Sequence, residues 1–373
     1  MILAYLVYFG LLIVMVACWS ITSRTSALYP AHEAAIGTRA AWFTIVLFTL
    51  LIGCRYGVGG DFFGYIYYYQ STTLSDRPSD VVFEPGFLYL IQLLKVFDAP
   101  DRSIIIASSF LQIFFFAYWL KNKKAVAPFI VYFFVTLVLL DVNNAVRQSI
   151  AIFAILLALD NLSRSRILHF IVWGLVAYLF HRSALIIFPL SIGLWYFRVP
   201  KVYLQLAALV AAYLFVGLLW DRVIPLFERM SPLFGYEGYS DVNRADLMFG
   251  MEQASLNIGR YLWPIVDGII MIYSRHLTAT YDRYGYRFYH GMFLIAALLQ
   301  PVALAWNFLP FGRALFYFTA MRMICLGFLA CYCLVDERKG RNIVLGLGIC
   351  AVFATWLAVA VSRGAAVSAP YEF

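Results

Sequence analysis

Charged side chains in this sequence concentrate at the ends of apolar segments that are long enough to cross a membrane. The segment CRYGVGGDFFGYIYYY contains Arg55 and Asp61, the turn FEPG contains Glu84, NNAVRQ contains Arg147, and FHRSAL contains His181 with Arg182. An ionisable group at membrane depth is costly and usually faces protein or a water-filled cavity. Several such groups at comparable depth therefore predict one polar site inside a membrane protein.

Three of these residues are candidates for proton transfer. His181 is the first choice as a base, because a neutral imidazole can take a proton from a hydroxyl at neutral pH and a guanidinium cannot. Asp61 and Glu84 are the alternative acids and bases. Each also fits the N-cap of a helix, Asp61 after a glycine run and Glu84 before Pro85. A solitary histidine is more often a hydrogen-bonded structural residue, so this alternative stays open for His181.

Four arginines are candidates for binding an anion. Arg147 is predicted in the first turn of a helix whose start is marked by Asn143 and Asn144. The unpaired amides of a helix start and the fork of a guanidinium together suit a phosphate, and snorkelling toward the membrane surface is the alternative. The other three come from the same predicted depth or from the rim of a late segment: Arg55, Arg182 and Arg313.

The elements that must position these residues are membrane helices. Hydrophobic residues make up 63% of the 373 residues and charged residues 13%, and the mean hydropathy is +0.81. A span needs roughly 20 apolar residues. We predict an all-α, polytopic membrane protein that forms one domain over residues 1–373. About twelve windows fit: 1–22, 39–54, 103–120, 125–141, 145–160, 167–180, 184–197, 202–219, 257–274, 288–306, 314–334 and 343–361.

The net charge of +8 is distributed as a membrane topology requires. Short basic loops alternate with the apolar windows, which is typical of cytoplasmic connections, so we expect no nucleic-acid partner. This pattern predicts that both chain ends and the long segments at 55–102 and 220–256 lie outside the cell membrane. The six cysteines fall within or beside the windows, where they are expected to pack as small apolar residues rather than bind a metal.

Two further predictions concern helices near this outer surface and charges inside the membrane. Residues 81–97 place Phe83, Phe87 and Ile91 at helical spacing, which predicts an amphipathic or re-entrant helix on the outer surface. Arg322 falls about two turns inside a late span. Because a buried arginine needs a counterion, we expect it to pair with Asp267 in a structural ion pair.

Six segments, taken in order, resemble the EpsG family of exopolysaccharide proteins, which is similar to the Wzy polymerases of O-antigen. These segments are RYGVGGD with its tyrosine-rich continuation, EPGF, LLDVNNAVRQSIAIFAILLAL, FHRSALIIFPL, RALFYF and the terminal PYEF. The resemblance covers nearly the whole chain. It implies a fold like that of the C-type, lipid-linked glycosyltransferases (GT-C).

The resemblance also implies a function. Such proteins join saccharide repeat units carried on undecaprenyl diphosphate at the outer face of the bacterial cytoplasmic (inner) membrane, in exopolysaccharide, O-antigen or biofilm synthesis. They use no nucleotide sugar, and neither metal nor cofactor is expected. One lipid-linked oligosaccharide is the donor and another the acceptor, with a flippase and a chain-length regulator as expected partners. The four arginines would then hold the diphosphate, and the aromatic residues Tyr65 and Tyr317 would contact sugars.

Two other functions remain open from the residues alone. A transporter or flippase of lipid-linked oligosaccharides would also need arginines, but its polar residues should continue through the membrane. Here they concentrate at one predicted face, with Asp267 and Arg322 as the exceptions. A membrane acyltransferase that modifies polysaccharide would also use a histidine, but the sequence offers no second polar intramembrane partner for His181.

Overall fold

The computed structural model describes residues 1–28, 33–216, 229, 259–306, 309–335 and 342–373. In these residues the regular structure is helical, apart from one isolated bridge between Tyr56 and Glu372. They divide into two compact units, Met1–His181 with Leu326–Phe373, and Arg182–Cys325. The predicted outer segment at 220–256 lies outside the described residues except for residue 229. The single domain expected from the sequence stays a prediction.

The first unit contains the helices that surround most of the predicted site residues. Their bounds are α1 (Ile2–Leu28), α2 (Glu33–Gly53), α3 (Phe62–Ser71), α4 (Pro85–Val96), α5 (Ser103–Leu120), α6 (Ala127–Phe133), α7 (Leu139–Asn144), α8 (Val146–Ser163) and α9 (Ile167–Phe180). A π-helical turn, Phe134–Val138, joins α6 to α7. Helices α5, α8 and α9 pack side by side, and α8 is almost entirely buried between its neighbours.

The second unit is built from helices that follow His181. They are α10 (Ala184–Gly193), α11 (Val202–Leu214), α12 (Gly259–Tyr281), α13 (Tyr286–Trp306) and α14 (Leu309–Thr319). Helix α15 (Met321–Val335) then returns the chain to the first unit, which ends with α16 (Asn342–Ser362). Each of the twelve apolar windows overlaps one or more of these helices.

Seven apolar stretches in the described residues are long enough to cross a membrane. They are Ile2–Leu28, Ser103–Leu120, Ala127–Asn144, Val146–Ser163, Tyr286–Leu304, Phe311–Val335 and Asn342–Ser362. Other apolar helices are shorter, among them Gly37–Gly53 and Ile167–Phe180. The protein is therefore a multi-pass membrane protein, and the predicted total of about twelve spans stays a prediction.

Helix α4 has the amphipathic character predicted from residue spacing. Phe83, Phe87 and Ile91 are buried, while Tyr89 and Leu93 on the other side are each 55% exposed. Its 12 residues extend about 18 Å at 1.5 Å per residue, well short of the roughly 30 Å of a bilayer core. A helix of this length and pattern lies along a surface more readily than it crosses one.

The ion pair predicted between Asp267 and Arg322 is confirmed. Arg322 Nε lies 2.7 Å from Asp267 Oδ1 and Nη2 lies 2.8 Å from Oδ2, so the contact is bidentate. Both side chains are buried. The Gln300 side-chain oxygen accepts a third hydrogen bond at 2.9 Å, and the guanidinium lies over the Trp263 ring at 4.8 Å. Arg322 therefore has the partners that a buried cation requires.

Candidate functional site

The EPGF turn places Glu84 at the start of α4. The residue before a proline favours an extended backbone, and proline itself is well tolerated in the first helical turn. Glu84 is extended, with φ −72° and ψ 151°, and its side chain makes no capping hydrogen bond to α4. Phe83 and Phe87 flank it and are buried against one another in edge-to-face contact. Packing of the two phenylalanines, rather than capping of α4, therefore sets the orientation of the Glu84 carboxylate.

Gly86 allows this turn to approach the end of α9. A Cβ atom at Gly86 would lie 2.7 Å from the carbonyl oxygen of Leu179, which is too close for any side chain. Helix α9 ends at Phe180, and His181 follows in an extended conformation with its N–H bonded to the Ala177 carbonyl. The glycine thus lets the start of α4 and the end of α9 meet, which brings the side chains of Glu84 and His181 together.

Arg147 lies in the first turn of α8, close to where the sequence predicted a helix start. Helix α7 ends at Asn144, and Ala145, with ψ 62°, breaks the helical path before Val146. A break leaves backbone carbonyls without helical partners. The buried Gln112 side chain on α5 donates to the carbonyls of Val142 and Val146, at 3.1 and 3.2 Å. Gln112 therefore stabilises the break, and the N-terminus of α8 begins beside Arg147.

Glu84 joins Arg147 and His181 into one contact set, which we call the Glu84 cluster. Glu84 Oε2 pairs with Arg147 Nη1, and Glu84 Oε1 lies 2.8 Å from His181 Nδ1. The Glu84 and His181 side chains are 7% and 11% exposed, whereas that of Arg147 is 19% exposed. Arg147 is therefore the member of the cluster most open to a ligand.

The electrostatics of the cluster keep Glu84 ionised. Burial alone would raise the pKa of this carboxyl, but the positive charge of Arg147 and the hydrogen bond from His181 outweigh burial and hold the pKa at about 2. A carboxylate that accepts from Nδ1 fixes the neutral imidazole in the tautomer with Nδ1 protonated, which makes Nε2 the basic nitrogen. The cluster therefore combines a cation, a fixed carboxylate and an oriented imidazole.

Aromatic side chains surround the Arg147 guanidinium. It lies 5.9 Å from the ring centre of Tyr68 and 5.8 Å from that of Phe87, distances at which a cation is attracted to a ring. Tyr65 on α3 is buried, packs against Phe87 and makes a side-chain hydrogen bond with Arg147. Tyr65 thus contacts the arginine directly, and its predicted contact with a sugar stays a prediction.

Arg55 is fully buried beside the α7–α8 break. Its Nε donates to the Val58 carbonyl at 3.0 Å, and Nη2 donates to the Asn143 carbonyl at 3.0 Å. Nη1 donates to the Ile52 carbonyl at 2.6 Å and to Ser109 at 3.2 Å. With an exposure of 1%, this guanidinium ties the RYGVGGD loop to α7. Its predicted contact with a diphosphate stays a prediction.

The glycines of the loop allow it to lie against the α7–α8 break. Gly59 has φ +99°, and a Cβ there would lie 2.6 Å from the Asn143 carbonyl oxygen. Asp61 occupies the N-cap position of α3 without a capping hydrogen bond from its side chain, and its N–H donates to Asn144 Oδ1 at 3.0 Å. The loop that contains Arg55 and Asp61 therefore packs against the segment that positions Arg147 and is hydrogen-bonded to it. The role of Asp61 as a base stays a prediction.

The C-terminal PYEF segment and the residues just before it are hydrogen-bonded to the same loop. Tyr56 N–H donates to the Glu372 carbonyl at 2.8 Å, and Gly59 N–H donates to the Val367 carbonyl at 3.2 Å. The buried Tyr371 donates its hydroxyl to the Leu51 carbonyl. The last residues of the chain therefore hold the loop in place, which the sequence alone did not predict.

The remaining predicted site residues belong to the second unit. Ser183 donates to the hydroxyl of Tyr317 at 3.4 Å, which connects the start of α10 to α14. Arg182 immediately precedes Ser183, and Arg313 lies one turn before Tyr317; both arginines are half-buried. Tyr317 is fully buried. The assignments of Arg182 and Arg313 to the diphosphate and of Tyr317 to a sugar stay predictions.

Comparison with known proteins identifies the family. A profile of the EpsG family matches residues 40–373, which include the Glu84 cluster and the loop and tail around it. The chain belongs to the EpsG family. EpsG proteins are Wzy-like polysaccharide polymerases, so this EpsG-family chain is assigned to polymerase-type glycosyltransferases of the membrane. No curated protein and no solved structure matches the chain.

Several EpsG-family site features escaped the sequence-based prediction. The sequence placed Glu84 among the candidate bases, whereas the structure gives it ionic contacts with both Arg147 and His181. No role at this site was predicted for Gln112, for Tyr68 or for the C-terminal tail, although PYEF was one of the segments that carried the family resemblance. A glutamine inside an apolar segment was the available signal for Gln112, because a buried amide requires hydrogen-bond partners. In the described part of the chain no group of three or more His, Cys, Asp or Glu side chains is placed to hold a metal ion.

Proposed function

We propose that this EpsG-family protein polymerises saccharide repeat units that are carried on undecaprenyl diphosphate, at the outer face of the bacterial cytoplasmic membrane. The observation that supports this most is the Glu84 cluster, in which a partly exposed arginine and an oriented histidine share one carboxylate. A diphosphate leaving group needs a cation, and an attacking hydroxyl needs a base. The cluster offers both within contact of a single side chain.

The reaction divides between the members of the cluster. The hydroxyl of the acceptor sugar attacks the anomeric carbon of the donor, and the bond from that carbon to the phosphate oxygen breaks. The electron pair leaves with the undecaprenyl diphosphate, while the hydroxyl proton moves to Nε2 of His181. Glu84 then stabilises the imidazolium through Nδ1, as a carboxylate does in other carboxylate–histidine pairs.

Arg147 stabilises the charge that develops on the diphosphate. Glu84 and Tyr65 use some of the five guanidinium N–H donors, so the remaining donors can turn to a phosphate. The guanidinium lies in the first turn of α8, where the helix start favours negative charge. Because the site is largely buried, each of these interactions is stronger than it would be in water.

Alanine substitutions in cells test this assignment. Arg147→Ala and His181→Ala should each abolish high-molecular-weight polysaccharide while the single lipid-linked units accumulate and the protein stays in the membrane. Arg166→Ala is the matched control, because Arg166 is an exposed arginine outside the cluster and its loss removes the same charge. Polymer of normal length and amount from both cluster variants would overturn the proposed roles.

A further inference from the structure

An aromatic and polar cleft lies on the side of α3 that faces away from the Glu84 cluster. It has a volume of about 380 Å³. The exposed aromatic and the polar residues that line it are Tyr56, Phe63, Tyr67, Gln70, Asp101 and Arg102. Small-molecule sites commonly fall between about 300 and 1,000 Å³. The helix therefore has two different faces, one turned to Arg147 through Tyr65 and one that lines this cleft.

Three of the aromatic rings that line the cleft are exposed, whereas the fourth, that of Phe62, is packed into the core. Phe63, Tyr67 and Tyr56 are 59%, 65% and 43% exposed. Tyr56 and Phe63 meet edge to face, with ring centres 5.9 Å apart. Phe63 and Tyr67 are one turn apart on α3, so their rings lie along a single stripe. The cleft thus presents three neighbouring exposed rings to a ligand.

Polar groups in the cleft are held in place beside these rings. Gln70 donates to Asp101 Oδ2 at 2.7 Å. Arg102 donates to the Cys54 carbonyl at 3.0 Å and lies over the Tyr56 ring at 5.2 Å. An amide, a carboxylate and a guanidinium therefore stand preorganised at the edge of an aromatic surface, in reach of hydroxyl groups on a ligand.

We propose that this cleft binds the saccharide chain next to the reacting sugar, as a second glycan site of the same enzyme. A sugar ring has apolar C–H faces that pack on aromatic rings and hydroxyls that pair with amides, carboxylates and guanidinium groups. The cleft and the Glu84 cluster lie on opposite sides of α3, because Phe63 and Tyr67, which line the cleft, are each two residues from Tyr65, which contacts Arg147. A glycan held there is positioned to stay bound between successive additions, so the cleft governs polymer length. This inference rests on the proposed polymerase function.

The chemistry of the cleft favours a glycan over the membrane surface as its occupant. Exposed tyrosines also line membrane interfaces, where each ring acts alone as an anchor. Anchoring at an interface requires neither the hydrogen bond between Gln70 and Asp101 nor an arginine stacked on Tyr56. A ligand with many hydroxyls uses all of these groups.

Binding of free glycan to the purified, detergent-solubilised full-length protein tests the proposal. The probe is oligosaccharide released from the cell's own polysaccharide by partial acid hydrolysis, which has neither lipid nor diphosphate. Wild type should bind it, and Tyr67→Ala and Asp101→Asn should each weaken binding about tenfold, the effect of losing about 1.4 kcal/mol. Both variants should also make shorter polymer in cells. Tyr89→Ala is the control, because Tyr89 is also an exposed tyrosine but lies on α4, outside the cleft.

The outcomes separate this inference from the proposed function. Glu84→Gln should lose polymerisation yet bind the free glycan as wild type does. A protein that binds glycan through the cleft but never extends a chain would contradict the polymerase function and leave the cleft in place. Unchanged binding and polymer length in Tyr67→Ala and Asp101→Asn would overturn the cleft. The proposal would also be overturned if the Tyr67→Ala protein no longer stayed in the membrane but bound glycan as wild type does, since that result would identify Tyr67 as a membrane anchor.

Discussion

Replacing Glu84 by glutamine should show how much the negative charge of Glu84, as distinct from the size of its side chain, contributes to stability. Glutamine keeps the size of the side chain but removes the charge that pairs with Arg147 and the carboxylate that accepts from His181. The interactions of the ionised carboxylate hold its pKa at about 2 instead of 4.5. At about 1.4 kcal/mol per pKa unit, we expect Glu84→Gln to lose on the order of 3 to 4 kcal/mol of unfolding free energy at neutral pH.

The effect should depend on pH in a defined direction. A carboxyl whose pKa is lower in the folded protein than in the unfolded chain stabilises the fold above the unfolded value, and this contribution disappears as pH falls toward the folded value. Wild type should therefore lose stability between about pH 5 and pH 2. Glu84→Gln should lack this loss, so that the difference between the two proteins closes as the pH falls.

Chemical unfolding in detergent, followed across this pH range, measures the difference. The control is Asp98→Asn, which makes the same chemical change at an exposed carboxylate outside the cluster and should match wild type. If Glu84→Gln were as stable as wild type at pH 7 and still produced polymer, the cluster would not have the electrostatic role assigned to it. A constant difference from pH 7 to pH 2 would contradict the pKa of about 2.

Substitutions at Gly59, at Tyr371 and at the Asp267–Arg322 pair test the contacts that support the site and the second unit. Gly59→Ala should destabilise the protein by about 1 to 3 kcal/mol, because alanine strains the positive φ and meets a backbone carbonyl, whereas Gly64→Ala, with open space around it, should be neutral or slightly stabilising in the same unfolding assay. Tyr371→Phe should lose only the contribution of one hydrogen bond, about 1 kcal/mol, while Tyr371→Ala should also reduce polymer in cells because the tail no longer holds the loop. Asp267→Asn should cost about 3 to 5 kcal/mol by leaving the Arg322 charge without its counterion, and a double change to Asp267→Leu with Arg322→Met should recover much of that stability. Equal stability of Asp267→Asn and wild type would contradict the buried ion pair.

Features that follow from local spacing or from one strong physical requirement could be predicted from the sequence. The buried face of α4 followed from Phe83, Phe87 and Ile91 at helical spacing. The pairing of Asp267 with Arg322 followed from the cost of a lone charge inside a span. In the first case the spacing within a short stretch of chain determined which face of the helix is buried. In the second case the need for a counterion left few possible partners for the buried charge.

The lateral arrangement of the site could not be predicted in the same way. Membrane depth orders residues along the bilayer normal but says nothing about which helices are neighbours. Glu84 is 63 residues from Arg147 and 97 from His181 along the chain, and Asp61 lies at a similar predicted depth. The contact of Tyr371 with Leu51 spans 320 residues. These contacts depend on helix packing and on the close approach at Gly86, which have no periodic signal, whereas the helix start near Arg147 was marked in the sequence by Asn143 and Asn144.

Reconstitution of the purified protein in lipid vesicles with a defined undecaprenyl-diphosphate-linked oligosaccharide tests the central claim most directly. The measurement is product length together with the undecaprenyl diphosphate released, in the absence of any nucleotide sugar. We expect lipid-linked chains that grow by whole repeat units, with one undecaprenyl diphosphate released for each new linkage, and no growth with Arg147→Ala or His181→Ala. Substrate that crosses the bilayer without growing, or growth that is unchanged in both variants, would contradict the account.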